Sequence, residues 1–151
     1  MLTMTDVLRA RHLLQAHLPP TPAWSYPLLD AAAGRTVVVK HENTQPTGAF
    51  KVRGALNLLA GLNIQPGTPI VTYSTGNHAR SIAYAARAYG RPATIVMPEH
   101  AAGFKVQAVE ALGAAALAGV LAHPALMGAT VGAIVTGGNA TGEELRPPPG
   151  A

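Results

Sequence analysis

The chain has three lysines, Lys40, Lys51 and Lys105. Lys51 lies between Phe50 and Val52 in the run TGAFKVRG (47–54), just after a Pro-Thr-Gly turn. A lysine wanted only for solubility belongs on a solvated face. One used for chemistry is often desolvated, so that part of it is neutral and nucleophilic. The apolar neighbours therefore predict a shielded, reactive amine at Lys51.

The second chemical feature is YSTGNHARS (73–81), where a hydrophobic strand ends, a small polar turn follows and a helix begins. Backbone N–H groups at a helix N-terminus make an anion site, and Gly76 permits close approach. Ser74 and Thr75 add hydroxyl donors and Asn77 adds a side-chain amide, a set suited to a carboxylate or a phenolate. The same spacing also suits an ordinary N-cap turn. The third feature, IVTGGNATG (134–142), ends a strand at the hydroxyl of Thr136, with Gly137 and Gly138 allowing a tight turn. By itself it is equally a surface turn.

Other chemistries lack support. There is no G-x-G-x-x-G and no G-x-x-x-x-G-K-[ST], which removes the main nucleotide signatures. The six histidines, at 12, 17, 41, 78, 100 and 123, show no H-E-x-x-H or paired spacing with carboxylates, so no metal is expected. A Ser–His nucleophile has no G-x-S-x-G elbow to stand on. His12 and His17 are expected in solvent, and His78 is expected to orient its loop. With no cysteine in the chain, disulfides and thiolate chemistry are excluded, and a reducing cytoplasm fits.

Behind these residues stand the elements that must position them. The 151 residues suffice for a hydrophobic core, and 48% hydrophobic against 12% charged residues marks a folded chain. The net charge of +4 comes from scattered arginines, and aromatics are only 5%, so no nucleic-acid footprint is formed. The N-terminus lacks the charged start and apolar core of a signal peptide. Residues 111–142 hold no Asp, Glu, Lys or Arg. His123 and Pro124 interrupt them and Ala and Gly dominate, which favours a buried helix and strand over a membrane span.

Thr3 can cap a helix to about His17, with Val7, Ala10, Leu14 and Leu18 on one face. PPTP (19–22) ends it in an extended connection. RTVVVKHE (35–42) predicts a strand and 50–59 a helix. Then 69–74 predicts a strand, 77–89 a helix stopped by Gly90, 93–98 a strand, and 103–112 a helix stopped by Gly113. This alternation predicts an α/β fold, an open parallel sheet with flanking helices. After Gly113 the pattern breaks, because 114–123 reads as a second helix and a strand follows only at 129–136.

Together KHENTQPTGAFKVRGALNLL (40–59), STGNHA (74–79), IVMPEHA (95–101) and VGAIVTGGN (131–139) resemble, in the same chain order, the pyridoxal phosphate-dependent threonine/serine dehydratases. These are fold-type II enzymes with serine racemase among their relatives. The resemblance implies pyridoxal 5'-phosphate as cofactor, with Lys51 forming the Schiff base and Phe50 flanking it. Asn77 matches the asparagine that hydrogen-bonds the phenolic oxygen. Ser74, Thr75, Gly76, Asn77 and His78 match the loop that grips the substrate carboxylate. Thr136 matches the hydroxyl residue facing the pyridine nitrogen. A neutral partner there leaves that nitrogen unprotonated and weakens the electron sink. The implied reaction is β-elimination of a hydroxy amino acid to a 2-keto acid and ammonia, with Lys51 as base. A homo-oligomer remains open.

The sequence also departs from the family. Ala49 replaces a frequent serine, a mild change. Thr75 stands where dehydratases often have alanine and racemases a serine proton donor, which leaves elimination and racemisation both open. After Gly113 the match passes from the middle of the small domain to the C-terminal region, with no glycine-rich phosphate loop between. The resemblance thus implies a large internal deletion after about residue 113 and an incomplete fold-type II architecture. Its parts are 1–60 from the large domain with Lys51, 61–113 from the small domain, and 114–151 from the C-terminal part of the large domain. An inactive remnant is the alternative to a working lyase.

Overall fold

Thr3 and Asp6 cap each other at the start of the first helix. The Thr3 hydroxyl accepts from the Asp6 N–H at 3.3 Å and the Asp6 carboxylate accepts from the Thr3 N–H at 2.9 Å, which begins α1 (Met4–Gln15). In the computed structural model, which describes residues 1–99, 101–118 and 133–134, α1 buries none of its own residues. Val7 is 55% exposed, so the expected apolar face is anchored only at its far end, by half-buried Leu14 and buried Leu18. His17, expected in solvent, is half-buried there. Its ring meets Tyr89 edge-on, and the Tyr89 hydroxyl donates to the Leu56 carbonyl at 3.2 Å.

The next segment departs from the sequence expectation. The predicted strand 35–42 is only β2 (Val38–Lys40), and it pairs antiparallel with β1 (Ala23–Ser25) in a separate two-stranded ribbon. Between them lies a helix the sequence analysis did not anticipate, α2 (Pro27–Ala33), begun by Pro27 and ended by Gly34 at φ 65°. A short 3₁₀ turn at Glu42–Thr44 follows. The chain then bends at Gly48, φ 70°, into α3 (Lys51–Gly61).

From here the βα alternation holds. α3 buries Val52, Ala55, Leu56 and Leu59, the i, i+3, i+4, i+7 pattern of a core-facing helix. β3 (Ile70–Tyr73), α4 (Asn77–Ala88), β4 (Ala93–Met97) and α5 (Gly103–Glu110) follow. α4 turns alanines and Ile82 inward, and these small side chains let α3 and α4 pack closely. Val52, Leu56, Ile82, Ile95 and Val109 belong to one buried cluster. α4 stops at Gly90, where the Arg91 N–H reaches the Ala86 carbonyl and the Gly90 N–H the Arg87 carbonyl, a left-handed C-terminal cap.

After Gly113, φ 84°, the structure corrects the sequence reading. Residues 115–118 are not helix but strand β5 (Ala115–Ala118), parallel to β4 in the register Thr94↔Ala115 to Met97↔Ala118. An alanine run carries little β signal, and tertiary pairing overrides its helical propensity. β6 (Ala133–Ile134) pairs parallel with β3, Val71↔Ala133 and Thr72↔Ile134. The sheet order is β5-β4-β3-β6 with every pair parallel. The expected strand 129–136 therefore joins this sheet through its residues 133–134. Among the described residues no helix is long and apolar enough to cross a membrane.

Candidate active site

Two helix beginnings form the site. One is the head of α3, where the glycine turn at 48 delivers Lys51 as the first helical residue. The other is the loop from β3 to α4. The Ser74 N–H continues the sheet pairing by donating to the Val96 carbonyl at 3.1 Å, and the Ser74 hydroxyl accepts from the Gly76 N–H at 3.2 Å. α4 then begins with no side chain capping it, so its leading N–H groups and the positive end of its dipole are left for a ligand. Gly76 has a negative φ and a Cβ there would meet nothing within 4 Å. Its lack of a side chain serves access rather than backbone conformation.

The expected shielding of Lys51 is not found. Lys51 is exposed, and Phe50 is 62% exposed. Helical geometry explains this: in FKV only Val52 points inward and is fully buried, while Phe50 and Lys51 precede the core-facing stripe. Apolar neighbours in sequence are not apolar neighbours in space at a helix N-terminus. Arg53, the nearest arginine in sequence, is paired with Glu42 at 2.7 and 2.8 Å. The Thr21 hydroxyl donates to the same carboxylate at 2.6 Å and Lys40 donates to the Thr21 carbonyl at 2.6 Å. This network ties the first turn of α3 to the N-terminal ribbon. The hydrogen bonds from Arg53 hold the Glu42 carboxyl down to about 2, against the opposing effect of burial and with help from Thr21.

Lys51 and His78 nonetheless lie within electrostatic reach of each other. Burial lowers the His78 pKa below its ordinary value, and the nearby Lys51 charge lowers it further, so the ring is neutral at neutral pH. His78 Nε2 lies 3.1 Å from the hydroxyl of Thr72, itself 2% exposed, which fixes the ring against the end of β3. Ser74 and Thr75 are half-buried beside it, and Gly76 and Asn77 are exposed. Thr136 and His100 lie outside the described residues.

Sequence reasoning missed two residues of this region, Gln45 and Arg80. Both carry a buried atom with no hydrogen-bond partner, Gln45 Oε1 and Arg80 Nε. Both border the turn before Lys51, where the Gln45 carbonyl accepts from the Gly48 N–H at 2.7 Å and Arg80 Nη1 lies 3.8 Å from where a Gly48 Cβ would stand. The signal was present in the spacing: Arg80 follows Asn77 by one helical turn.

A parallel sheet whose β3 and β4 are each preceded and followed by a helix, a free amine at one helix start and an uncapped second helix start beyond the end of β3 define a small-molecule site of the open α/β type. Residues 14–142 match the pyridoxal-phosphate dependent enzyme family, and the chain belongs to that family. Over 110 residues it is 44% identical to L-threo-3-hydroxyaspartate ammonia-lyase of a Pseudomonas species, covering 72% of this chain and 34% of that one. Serine racemase of Mus musculus is 40% identical over 119 residues, covering 75% and 34%. The crystal structure of T.th. threonine deaminase superposes with a TM-score of 0.71 at 32% identity, covering 80% of this chain and 38% of that one. The fold is that of fold-type II enzymes, and the family's cofactor is pyridoxal phosphate. The chain spans about a third of the length of the curated relatives it matches.

The residues present fit the reactive end of that cofactor. Lys51 offers an exposed primary amine for its aldehyde, and Asn77 offers an exposed amide, a donor for its phenolic oxygen.

Proposed function

We propose that this chain carries the site residues of a pyridoxal phosphate-dependent ammonia-lyase of the threonine/serine dehydratase kind, whose reaction takes a hydroxy amino acid to a 2-keto acid and ammonia. The observation that supports this most is that Lys51, first residue of α3, and His78, in the first turn of α4, lie within electrostatic reach of each other. When bound, the cofactor supplies a carbonyl carbon that amines attack and a ring that accepts the electron pair released at Cα. Lys51 would hold it covalently, Asn77 would donate to its phenolic oxygen and Phe50 would flank it, while Thr136, matched by the resemblance to the residue at the pyridine nitrogen, lies outside the described residues.

The chain's own residues do the rest. The N–H groups opening α4, with Ser74 and Thr75, receive the α-carboxylate, and Gly76 leaves room for it. His78, neutral and braced by Thr72, orients that loop without adding a charge. Lys51, with its amine free, would be the base that takes the Cα proton. The β-hydroxyl departs with a proton as water, and later uptake of one water releases ammonia and the keto acid, so the atoms balance. Lys51 is exposed, so bound cofactor and substrate would supply the exclusion of water at this amine.

The second reading is an inactive remnant, favoured by the join after Gly113, where the resemblance passes from the small domain to the C-terminal region with no glycine-rich phosphate loop between. Racemisation stays a variant of the first, with Thr75 placed to offer a proton from its hydroxyl. The relatives named above divide between acidic and neutral amino acids, so the side chain of the substrate is a separate question.

Proton exchange at Cα separates these readings. With pyridoxal phosphate in D2O, the lyase reading expects Lys51-dependent loss of the Cα–H signal of L-serine or L-threonine, absent in Lys51→Ala. D-serine in the product would favour the racemase variant. No exchange at saturating cofactor would leave the remnant reading.

A further inference from the structure

Among the described residues, Arg80 is a cation without a counter-charge. The ion pairs there are Arg9 with Asp6 and Arg53 with Glu42, and Asp30 is occupied by the Val37 N–H. Arg80 is half-buried, its Nε is sealed from solvent without an acceptor, and it reaches the glycine turn that leads to Lys51. A guanidinium left this way forgoes the charge-assisted bonds that normally accompany its burial. Gln45 lines the same turn at 4% exposure, with Oε1 unpaired. The carboxylate nearest in sequence to that turn, Glu42, is already held by Arg53 and Thr21.

We propose that Arg80 is a specificity residue that receives a second carboxylate, so that the site prefers an amino acid with an acidic side chain. The inference rests on the functional reading above, in which the α-carboxylate sits at the opening of α4. Arg80 lies one turn further along the same helix, on the side toward Lys51's turn, so the two anionic groups of one small ligand are met by neighbouring donors. A planar guanidinium pairs with a carboxylate through two parallel bonds. Gly48, whose φ of 70° suits glycine, carries the turn past Nη1, which lies 3.8 Å from where its Cβ would stand.

The test compares L-aspartate with L-asparagine, which share shape but differ in side-chain charge, by titration calorimetry on the full chain with and without pyridoxal phosphate. The native chain is expected to bind L-aspartate at least about tenfold more tightly, a difference of about 1.4 kcal/mol. Arg80→Gln removes the preference and Arg80→Lys keeps part of it, with unchanged circular dichroism in both. Equal affinity for the two ligands, no detectable binding of either, or a preference that survives in Arg80→Gln would overturn the proposal. Lys51→Ala separates this from the lyase reading. Aspartate preference retained there without covalent cofactor supports the role of Arg80 whatever the fate of Lys51, and covalent attachment at Lys51 without aspartate preference leaves the lyase reading standing alone.

Discussion

Lys51 projects outward from a helix whose next residue, Val52, is fully buried, so the two can be altered independently. Lys51→Ala is expected to change stability by no more than about 0.5 kcal/mol, while Val52→Ala costs about 1–3 kcal/mol through lost burial; urea melts of both check this. Lys51→Ala also relieves the charge that depresses His78, so the His78 pKa rises toward its ordinary value in an NMR titration, with burial still holding it below. An unmoved His78 would mean the two side chains do not face each other. At Glu42 the carboxyl is lowered from 4.5 to about 2, so its stabilisation is complete above about pH 4.5 and is lost as pH falls toward 2. Arg53→Met should lower stability at neutral pH by about 1–2 kcal/mol and flatten that acid limb. An acid limb identical to the native one would show that the pair is not the source.

At the scale of elements, the starts and stops of α1, α3, α4 and α5 and the positions of β3 and β4 were legible within a few residues, because caps, glycines and apolar periodicity agreed there. Gly90→Ala tests one such signal. Its φ of 62° resists a side chain, so the substitution should cost about 1 kcal/mol, measured as a lower midpoint of unfolding. What sequence could not show is instructive. α2 was hidden inside an apparent extended connection, although Pro27 and Gly34 bracket it as a helix. β2 reads as a sheet strand because the β-branched run Thr36–Val39 does not reveal a partner, and its partner β1 is too short to announce itself. β5 is written almost wholly in alanine, so only its pairing with β4 makes it a strand. The site was legible as two motifs and not as a surface. The sequence set Lys51 near a helix start and 74–78 in the turn between strand and helix, as the structure has them, but the exposure of Lys51 and the unpartnered atoms of Gln45 and Arg80 depend on helix rotation, which residue identity alone does not fix.

For the whole molecule, the decisive feature is the join after Gly113, where the resemblance passes from the small domain to the C-terminal region with no glycine-rich phosphate loop between. Each charge-assisted bond lost from such a cradle removes roughly 1.5–3 kcal/mol. Affinity for pyridoxal phosphate is therefore expected to be weak, and steady turnover of L-threonine or L-serine negligible in a keto-acid assay. Robust turnover abolished by Lys51→Ala would show that the segment present is sufficient. The central claim, that Lys51 is the covalent anchor, is tested most directly by borohydride reduction of the chain with pyridoxal phosphate, followed by peptide mass mapping. Lys40 donates to the Thr21 carbonyl and Lys105 stands on α5 beside the Phe104 ring, so neither shares the surroundings of Lys51. The account predicts a pyridoxyl label on the peptide containing Lys51; a label mainly on Lys40 or Lys105 would contradict it.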